Sequence, residues 1–163
     1  MLQLVQLNQK IGGENFKQPL CLSKQYEHAA NNAKKLSKVL SRTELNYVGH
    51  SLGGGEAALN SLVTSNDKLK GRKAFTFNAA GVSDITKYSE GTWRTPFKSE
   101  RKIEAYILRT DPLNKLQNNS SVMPDVNGNR HYLWLKDFPS VYNGHSIDNI
   151  IKNFGVNPDE YKK

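Results

Sequence analysis

The stretch Tyr47-Val-Gly-His-Ser-Leu-Gly-Gly54 sets one serine between a short apolar run, residues 45–48, and a glycine-rich segment. The apolar run predicts a β-strand, and residues 52–64 predict a helix. A sharp turn between them places Ser51 at its tip, where Gly49 and Gly53 keep strand and helix from colliding. The helix N-terminus also brings backbone N–H groups to the serine. The stretch therefore predicts that Ser51 is a nucleophile.

Helices and strands alternate on both sides of this turn. Apolar residues and alanines three and four positions apart predict a helix at residues 22–40 and a closing helix at residues 147–154. β-Branched and aromatic content predicts further strands at residues 74–78, 103–108 and 130–135. Strands separated by helices favour a parallel sheet. The predicted fold class is therefore α/β, with a mostly parallel sheet flanked by helices.

Composition and length indicate one folded unit. With 37% hydrophobic and 23% charged residues the chain can bury a core, and no linker or repeat divides it, so a single domain is expected over residues 1–163. Residues 1–21 are either a tail or a residual strand at residues 2–7. No apolar run reaches the roughly 20 residues of a membrane-spanning helix, and no signal-peptide pattern opens the chain. Secreted and cytoplasmic locations both stay open.

The net charge of +8 could attract anionic lipid surfaces, acidic substrates or nucleic acid. The basic residues, however, stand in small separate groups such as Lys68, Lys70, Arg72 and Lys73, without a continuous tract or glycine-aromatic motifs. This distribution favours side chains that are solvated at the surface. No nucleic-acid partner is therefore expected, while an anionic membrane surface stays open as a partner.

A serine nucleophile needs a base and an acid. In α/β-hydrolases the acid and then the histidine follow the serine, each after a later strand. Asp111 follows the strand at residues 103–108 and precedes Pro112, which makes it the best candidate for the acid. His145 lies in a loop after the strand at residues 130–135 and just before the last helix, which makes it the best candidate for the base. The less favoured candidates are Asp84, Asp125, His28, His50 and His131.

The stretch at residues 47–54, together with Ile107-Leu-Arg-Thr-Asp-Pro112 and Gly144-His145, resembles the lipase class 3 family in residues and in order. The resemblance covers roughly residues 25–153. It implies an α/β-hydrolase fold whose Ser-His-Asp triad cleaves a lipid or other carboxylic ester through an acyl-enzyme, with no metal and no organic cofactor. Similar modules occur at the ends of large bacterial repeat-containing and toxin-like proteins, so this chain could be part of a larger polypeptide.

The N-terminus departs from that family. The N–H of Leu52 is the expected first donor to the oxyanion, but no Arg-Gly-Thr-like turn precedes Leu22 to supply the second donor. The fold is therefore expected to be truncated on its N-terminal side. Three interpretations stay open: residues 2–7 with the Gly12-Gly13 turn replace the missing element, the chain is a fragment, or it is a catalytically inactive binding or interaction module.

Residues 82–102 lack a clear period and place Trp93 and Phe97 among charged residues. A long irregular segment in a compact domain is often functional. We expect this segment to cover the acyl chain or to act as an interfacial lid, with His50, Trp93 and Phe97 as substrate contacts. An ordinary surface insertion fits the same residues equally well.

Overall fold

The computed structural model describes residues 19–65, 69, 71–92, 100–121, 123–134, 144–157 and 159. Within these ranges helices and strands alternate, which confirms the predicted α/β class. The helices are α1 (Pro19–Val39), α2 (Leu52–Thr64), α3 (Asp84–Ser89), α4 (Pro112–Asn118) and α5 (Ile147–Asn153). The strands are β1 (Leu45–His50), β2 (Gly71–Phe77), β3 (Ile103–Leu108) and β4 (Asn129–Leu133), and a 3₁₀ turn, Glu100–Lys102, precedes β3. None of the described helices is both long and apolar enough to cross a membrane.

The four described strands form one parallel sheet in the order β1-β2-β3-β4. His50 lies opposite Phe77, Phe77 opposite Tyr106, and Tyr106 opposite His131. The carboxyl ends of parallel strands meet at one edge of the sheet, where crevices commonly bind ligands. Side chains that follow β1, β3 and β4 in the sequence can therefore gather in one place.

The main core lies between one face of the sheet and the helices α1 and α2. Burial of apolar surface here stabilises the layer by about 25 cal/mol for each Å² removed from water. A Cβ on Gly55 would lie 2.2 Å from Tyr26 Oη, so a glycine is required where the two helices touch. The buried members of this cluster are Tyr26, Ala30, Ala33, Tyr47, Ala57, Ala58, Leu59, Leu62, Ala74, Val82 and Ile103.

The helix α5 lies on the opposite face of the sheet. The ring of Phe154 meets those of Phe77 and Tyr106 edge-on, with centroids 6.3 and 5.4 Å apart. Side chains alternate between the faces along a strand, so Phe77 and Tyr106 point away from the α1–α2 layer. The closing helix predicted at residues 147–154 is confirmed, one residue shorter at its end.

Two short helices differ from the sequence-based expectation. Residues 82–102, expected to be irregular, contain α3, which Ser83 caps by accepting a hydrogen bond from Thr86 N–H. The helix α4 was not predicted, because seven residues show too little periodicity. The expected contacts Trp93 and Phe97 lie outside the described residues, as do residues 2–7, Gly12 and Gly13.

Arg72 is fully buried, which corrects the expectation that its group of basic residues is solvated. Its guanidinium donates to the carbonyl oxygens of Ser37, Leu40 and Thr43 at 2.8–3.0 Å, and its Nε donates to Ser37 Oγ. The last carbonyls of a helix have no partner within the helix and attract a positive charge. Arg72 therefore closes the C-terminal end of α1 and ties it to the start of β2.

Replacing Arg72 by Met should lower the free energy of unfolding by on the order of 3 kcal/mol, because three carbonyl groups lose their donor. Lys73 is exposed on the same strand, so Lys73→Met is the matched control and should change stability by less than about 0.5 kcal/mol. Urea unfolding of both variants measures the difference. Equal effects of the two substitutions would contradict the capping role of Arg72.

Candidate active site

The backbone of Ser51 occupies a strained conformation between β1 and α2. Its φ of 56° and ψ of −124° lie in a region that residues with a side chain rarely adopt. Two hydrogen bonds hold it there: Ser51 N–H donates to Phe77 C=O at 3.0 Å, and Ala80 N–H donates to Ser51 C=O at 2.9 Å. The predicted sharp turn is therefore present, and Ser51 Oγ stands at the carboxyl edge of the sheet.

Two of the three glycines Gly49, Gly53 and Gly54 lie where a side chain would collide with a neighbouring residue. A Cβ on Gly49 would lie 2.0 Å from Gly53 C=O, and one on Gly54 would lie 2.6 Å from Ala79 Cβ. A Cβ on Gly53, by contrast, would meet nothing within 4 Å. Gly49 therefore lets strand and helix cross, and Gly54 lets α2 approach the segment after β2. The expectation that Gly53 must also be small for packing is not supported by its surroundings.

The structure brings Ser51, His145 and Asp111 into one hydrogen-bonded row. His145 Nε2 lies 2.8 Å from Ser51 Oγ, and His145 Nδ1 lies 2.8 Å from Asp111 Oδ1. A carboxylate only accepts hydrogen bonds. His145 Nδ1 therefore carries the proton toward Asp111, and Nε2 is left to accept the proton of Ser51. A base in this tautomer can activate the hydroxyl.

Asp111 is held rigidly, because it also begins α4. Its two carboxylate oxygens accept the N–H groups of Leu113 and Asn114 at 3.2 and 3.1 Å, which makes it the N-cap of that helix. Pro112 at the first helical position has no N–H that would need a partner. The side chain of Asp111 is 0% exposed, so its charge is shielded from water and directed at His145.

A buried asparagine that the sequence reading did not single out ties these parts together. Asn78 Nδ2 donates to Gly144 C=O at 3.0 Å, and Asn78 Oδ1 accepts Leu108 N–H at 2.9 Å. Gly144 directly precedes His145, and Leu108 ends the strand that leads to Asp111. The φ of Asn78 is 42°, which asparagine tolerates better than most residues. Asn78 therefore sets the distance between the histidine loop and the aspartate turn.

His50 contacts His145 directly. Its Nε2 lies 2.7 Å from His145 C=O, and the two rings are 4.9 Å apart. Burial lowers the pKa of His50 from its ordinary value, an effect that the hydrogen bond to His145 opposes in part. Because a carbonyl oxygen only accepts, His50 Nε2 carries a proton and donates it to the His145 backbone. His50, predicted as a substrate contact, thus packs against His145 in the structure.

Leu52 is the first residue of α2, so its N–H has no acceptor within the helix and lies at the positive end of the helix dipole. This is the position that the sequence predicted for the first oxyanion donor. The expected replacement for the second donor, residues 2–7 with Gly12 and Gly13, lies outside the described residues.

Apart from His50, which contacts His145, the less favoured candidates are not in contact with this row. Asp84 is 98% exposed and pairs with Lys87, and Asp125 pairs with Arg130. His131 bonds Glu104 on the sheet surface, and His28 is exposed on α1. Within the ranges that the structure describes, no group of three or more His, Cys, Asp or Glu side chains is arranged to hold a metal ion.

An apolar cavity of about 300 Å³ opens between β2 and α5. Two of its lining residues are close in sequence or by hydrogen bond to the site. Phe77 accepts the Ser51 N–H through its carbonyl, and Ile147 follows His145 by two residues. Every side chain that lines it is apolar: Phe77, Ile147, Ile150, Ile151, Phe154 and Val156.

Replacing Asn78 by Gly keeps the positive φ acceptable and removes only the amide. Leu108 N–H and Gly144 C=O then lose their partner, so the free energy of unfolding should fall by about 1–3 kcal/mol. The Nδ1 proton of His145, followed by NMR in ¹⁵N-histidine-labelled protein, should shift upfield or broaden, because the loop that carries the ring is released.

The exposed Asn119 at the end of α4 supplies the control, since Asn119→Gly should leave this resonance in place. An unchanged Nδ1 resonance in the Asn78→Gly variant, with stability reduced, would mean that Asn78 supports the fold without positioning His145.

The model of a phospholipase-like family, the Tle-like phospholipase domain, matches residues 9–132, which include Ser51 and Asp111. An extracellular phospholipase A1 from Serratia liquefaciens is 38% identical over 107 residues, which are 64% of this chain and 31% of that protein. The chain thus spans about a third of the length of this relative. No solved structure was found to match it.

These matches support the broader expectation of a lipase- or phospholipase-type chain and do not single out the lipase class 3 family. The family model covers well over half of the chain, from before α1 into β4. The chain therefore belongs to the Tle-like phospholipase domain family.

Proposed function

We propose that the chain is a serine hydrolase that cleaves carboxylic acyl esters of phospholipids. The observation that carries the proposal is the continuous row of hydrogen bonds from Ser51 Oγ through His145 to Asp111, with both distances at 2.8 Å. The order of the three residues in the chain, serine, aspartate and then histidine, is that of α/β-hydrolases. Membership of a phospholipase-like family supports lipid ester hydrolysis as the general class of reaction.

The proposed reaction runs in two halves. His145 Nε2 takes the proton of Ser51 while Oγ attacks the ester carbonyl, and Asp111 stabilises the imidazolium that forms. The N–H of Leu52 stabilises the oxyanion of the tetrahedral intermediate. His145 then gives its proton to the leaving alcohol, which produces an acyl-enzyme on Ser51. Water, deprotonated by His145, attacks the acyl group and releases the fatty acid.

The cavity between β2 and α5 supports a lipid substrate. The apolar cavity beside Phe77 and Ile147 offers the kind of surface that an acyl chain contacts. The Serratia relative is named a phospholipase A1, and we propose the same class of bond, an acyl ester of a glycerophospholipid, for this chain. The buried carboxylate of Asp111 gives the histidine the orientation that such a reaction requires.

Replacing Ser51 by Ala should lower the turnover of p-nitrophenyl butyrate and of phosphatidylcholine by at least about a thousandfold, since no other group forms the acyl-enzyme. Asp111→Asn should lower turnover about ten-thousandfold, because the amide favours the tautomer of His145 that cannot accept the Ser51 proton. Asparagine is as good an N-cap as aspartate, so α4 should persist in that variant. Spectrophotometric and fatty-acid release assays measure both.

Ser89→Ala, an exposed change on α3, is the control and should leave turnover unchanged. Full turnover in the Ser51→Ala variant would refute the serine mechanism. A wild-type protein that turns over neither ester would favour the alternative, a hydrolase fold that acts as a binding module.

A further inference from the structure

A cation rests on two exposed aromatic rings at the carboxyl end of β3 and β4. The guanidinium carbon of Arg109 lies 4.6 Å from the ring centre of Trp134 and 5.2 Å from that of Tyr132. Trp134 is 70% exposed and Tyr132 is 41% exposed. We call Arg109, Tyr132 and Trp134 the Arg109 cluster.

The cluster shares an edge of the sheet with the proposed site. Arg109 directly follows β3 and Trp134 directly follows β4, so both lie where the parallel strands end. The Arg109 N–H donates to Leu133 C=O, and this bond joins the backbone after β3 to the end of β4. Asp111 is only two residues further along. The Arg109 cluster and Ser51 therefore lie at the same edge of the sheet, the cluster at the ends of β3 and β4 and Ser51 at the end of β1.

The charge of Arg109 has no carboxylate within reach among the described residues. Stacking on aromatic rings holds the guanidinium in place without consuming its N–H donors. Those donors match the geometry of a phosphate, which they can bind in a bidentate manner. Arg130, by comparison, is engaged with Asp125 and with Tyr132.

Exposed aromatic side chains beside a cation that has no carboxylate partner in the described part of the chain fit one kind of surface especially well. Tryptophan and tyrosine prefer the headgroup level of a lipid layer, because their rings are apolar and their polar atoms stay hydrated. The net charge of +8 adds a long-range attraction toward an anionic layer. A phosphate for Arg109 and an interfacial layer for Trp134 are both supplied by a phospholipid surface.

We propose that the Arg109 cluster docks the protein on a phospholipid surface, with Arg109 binding a lipid phosphate and Trp134 entering the headgroup layer. The proposal rests on the proposed phospholipid hydrolysis for its choice of partner. Docking here presents the carboxyl edge of the sheet, and with it Ser51, to the lipid layer. It adds a contact that is separate from the cleavage of the ester.

The test measures binding of the full chain to vesicles of phosphatidylcholine and phosphatidylglycerol by sedimentation, in the Ser51→Ala background so that the lipid stays intact. Arg109→Gln should weaken binding about fivefold, the effect of one cation near an anionic surface. Arg101→Gln is the matched control, because Arg101 is exposed at the opposite end of β3, and it should bind as the parent does.

Trp134 gives a second readout. Vesicles should shift the tryptophan emission to the blue, and Trp134→Phe should reduce that shift to the part that Trp93, the second tryptophan, contributes. Tyr88→Ala, which removes an equally exposed aromatic ring from α3, should leave the shift intact.

The proposal is overturned if the parent protein does not bind vesicles, if Arg109→Gln binds as the parent does, or if Arg101→Gln weakens binding equally. Turnover of soluble p-nitrophenyl butyrate, measured with Ser51 present, separates this result from the proposed function. Arg109→Gln should leave that turnover unchanged. A protein that binds vesicles through Arg109 without soluble-ester turnover would keep the docking surface and refute the hydrolase.

Discussion

Close packing of α2 against the ends of β1 and β2 is the constraint on which the site depends. Gly54 lies so near Ala79 that a side chain would collide, and Ser51 is bonded on both sides, to Phe77 and Ala80. These contacts hold Ser51 at a positive φ that the residue would not adopt alone. The strain directs Oγ to the carboxyl edge, where the later strands deliver the other two side chains.

A second layer of buried polar contacts fixes those two side chains. Asp111 orients His145 while its oxygens start α4, and Asn78 holds the histidine loop at the end of β3. Each of these groups makes several bonds at once, so the row from Ser51 to Asp111 is formed before any substrate arrives. This preformed row holds the three side chains in the geometry that the proposed reaction needs.

Local patterns predicted the parts that depend on local sequence. The strand β3, the helix α2 and the serine turn follow from apolar content and small residues, and the order of strands led to Asp111 and His145 as neighbours of Ser51. Asn78 was missed because its partner Gly144 lies 66 positions away. The sequence predicts a solvated side chain at Arg72, because the carbonyls that it binds belong to a helix end that only the fold brings near. The start of α4 could have been predicted from Asp111-Pro112, because aspartate is a favoured N-cap and proline is favoured at the first helical position.

Covalent labelling tests the proposed nucleophile most directly. A fluorophosphonate probe reacts with a serine only when a base has activated it. Incubation with the probe followed by peptide mass spectrometry should find a single adduct, on Ser51, and His145→Ala should abolish it. A wild-type chain that stays unlabelled, or carries its adduct on another serine, would contradict the proposal that Ser51, His145 and Asp111 form a catalytic triad.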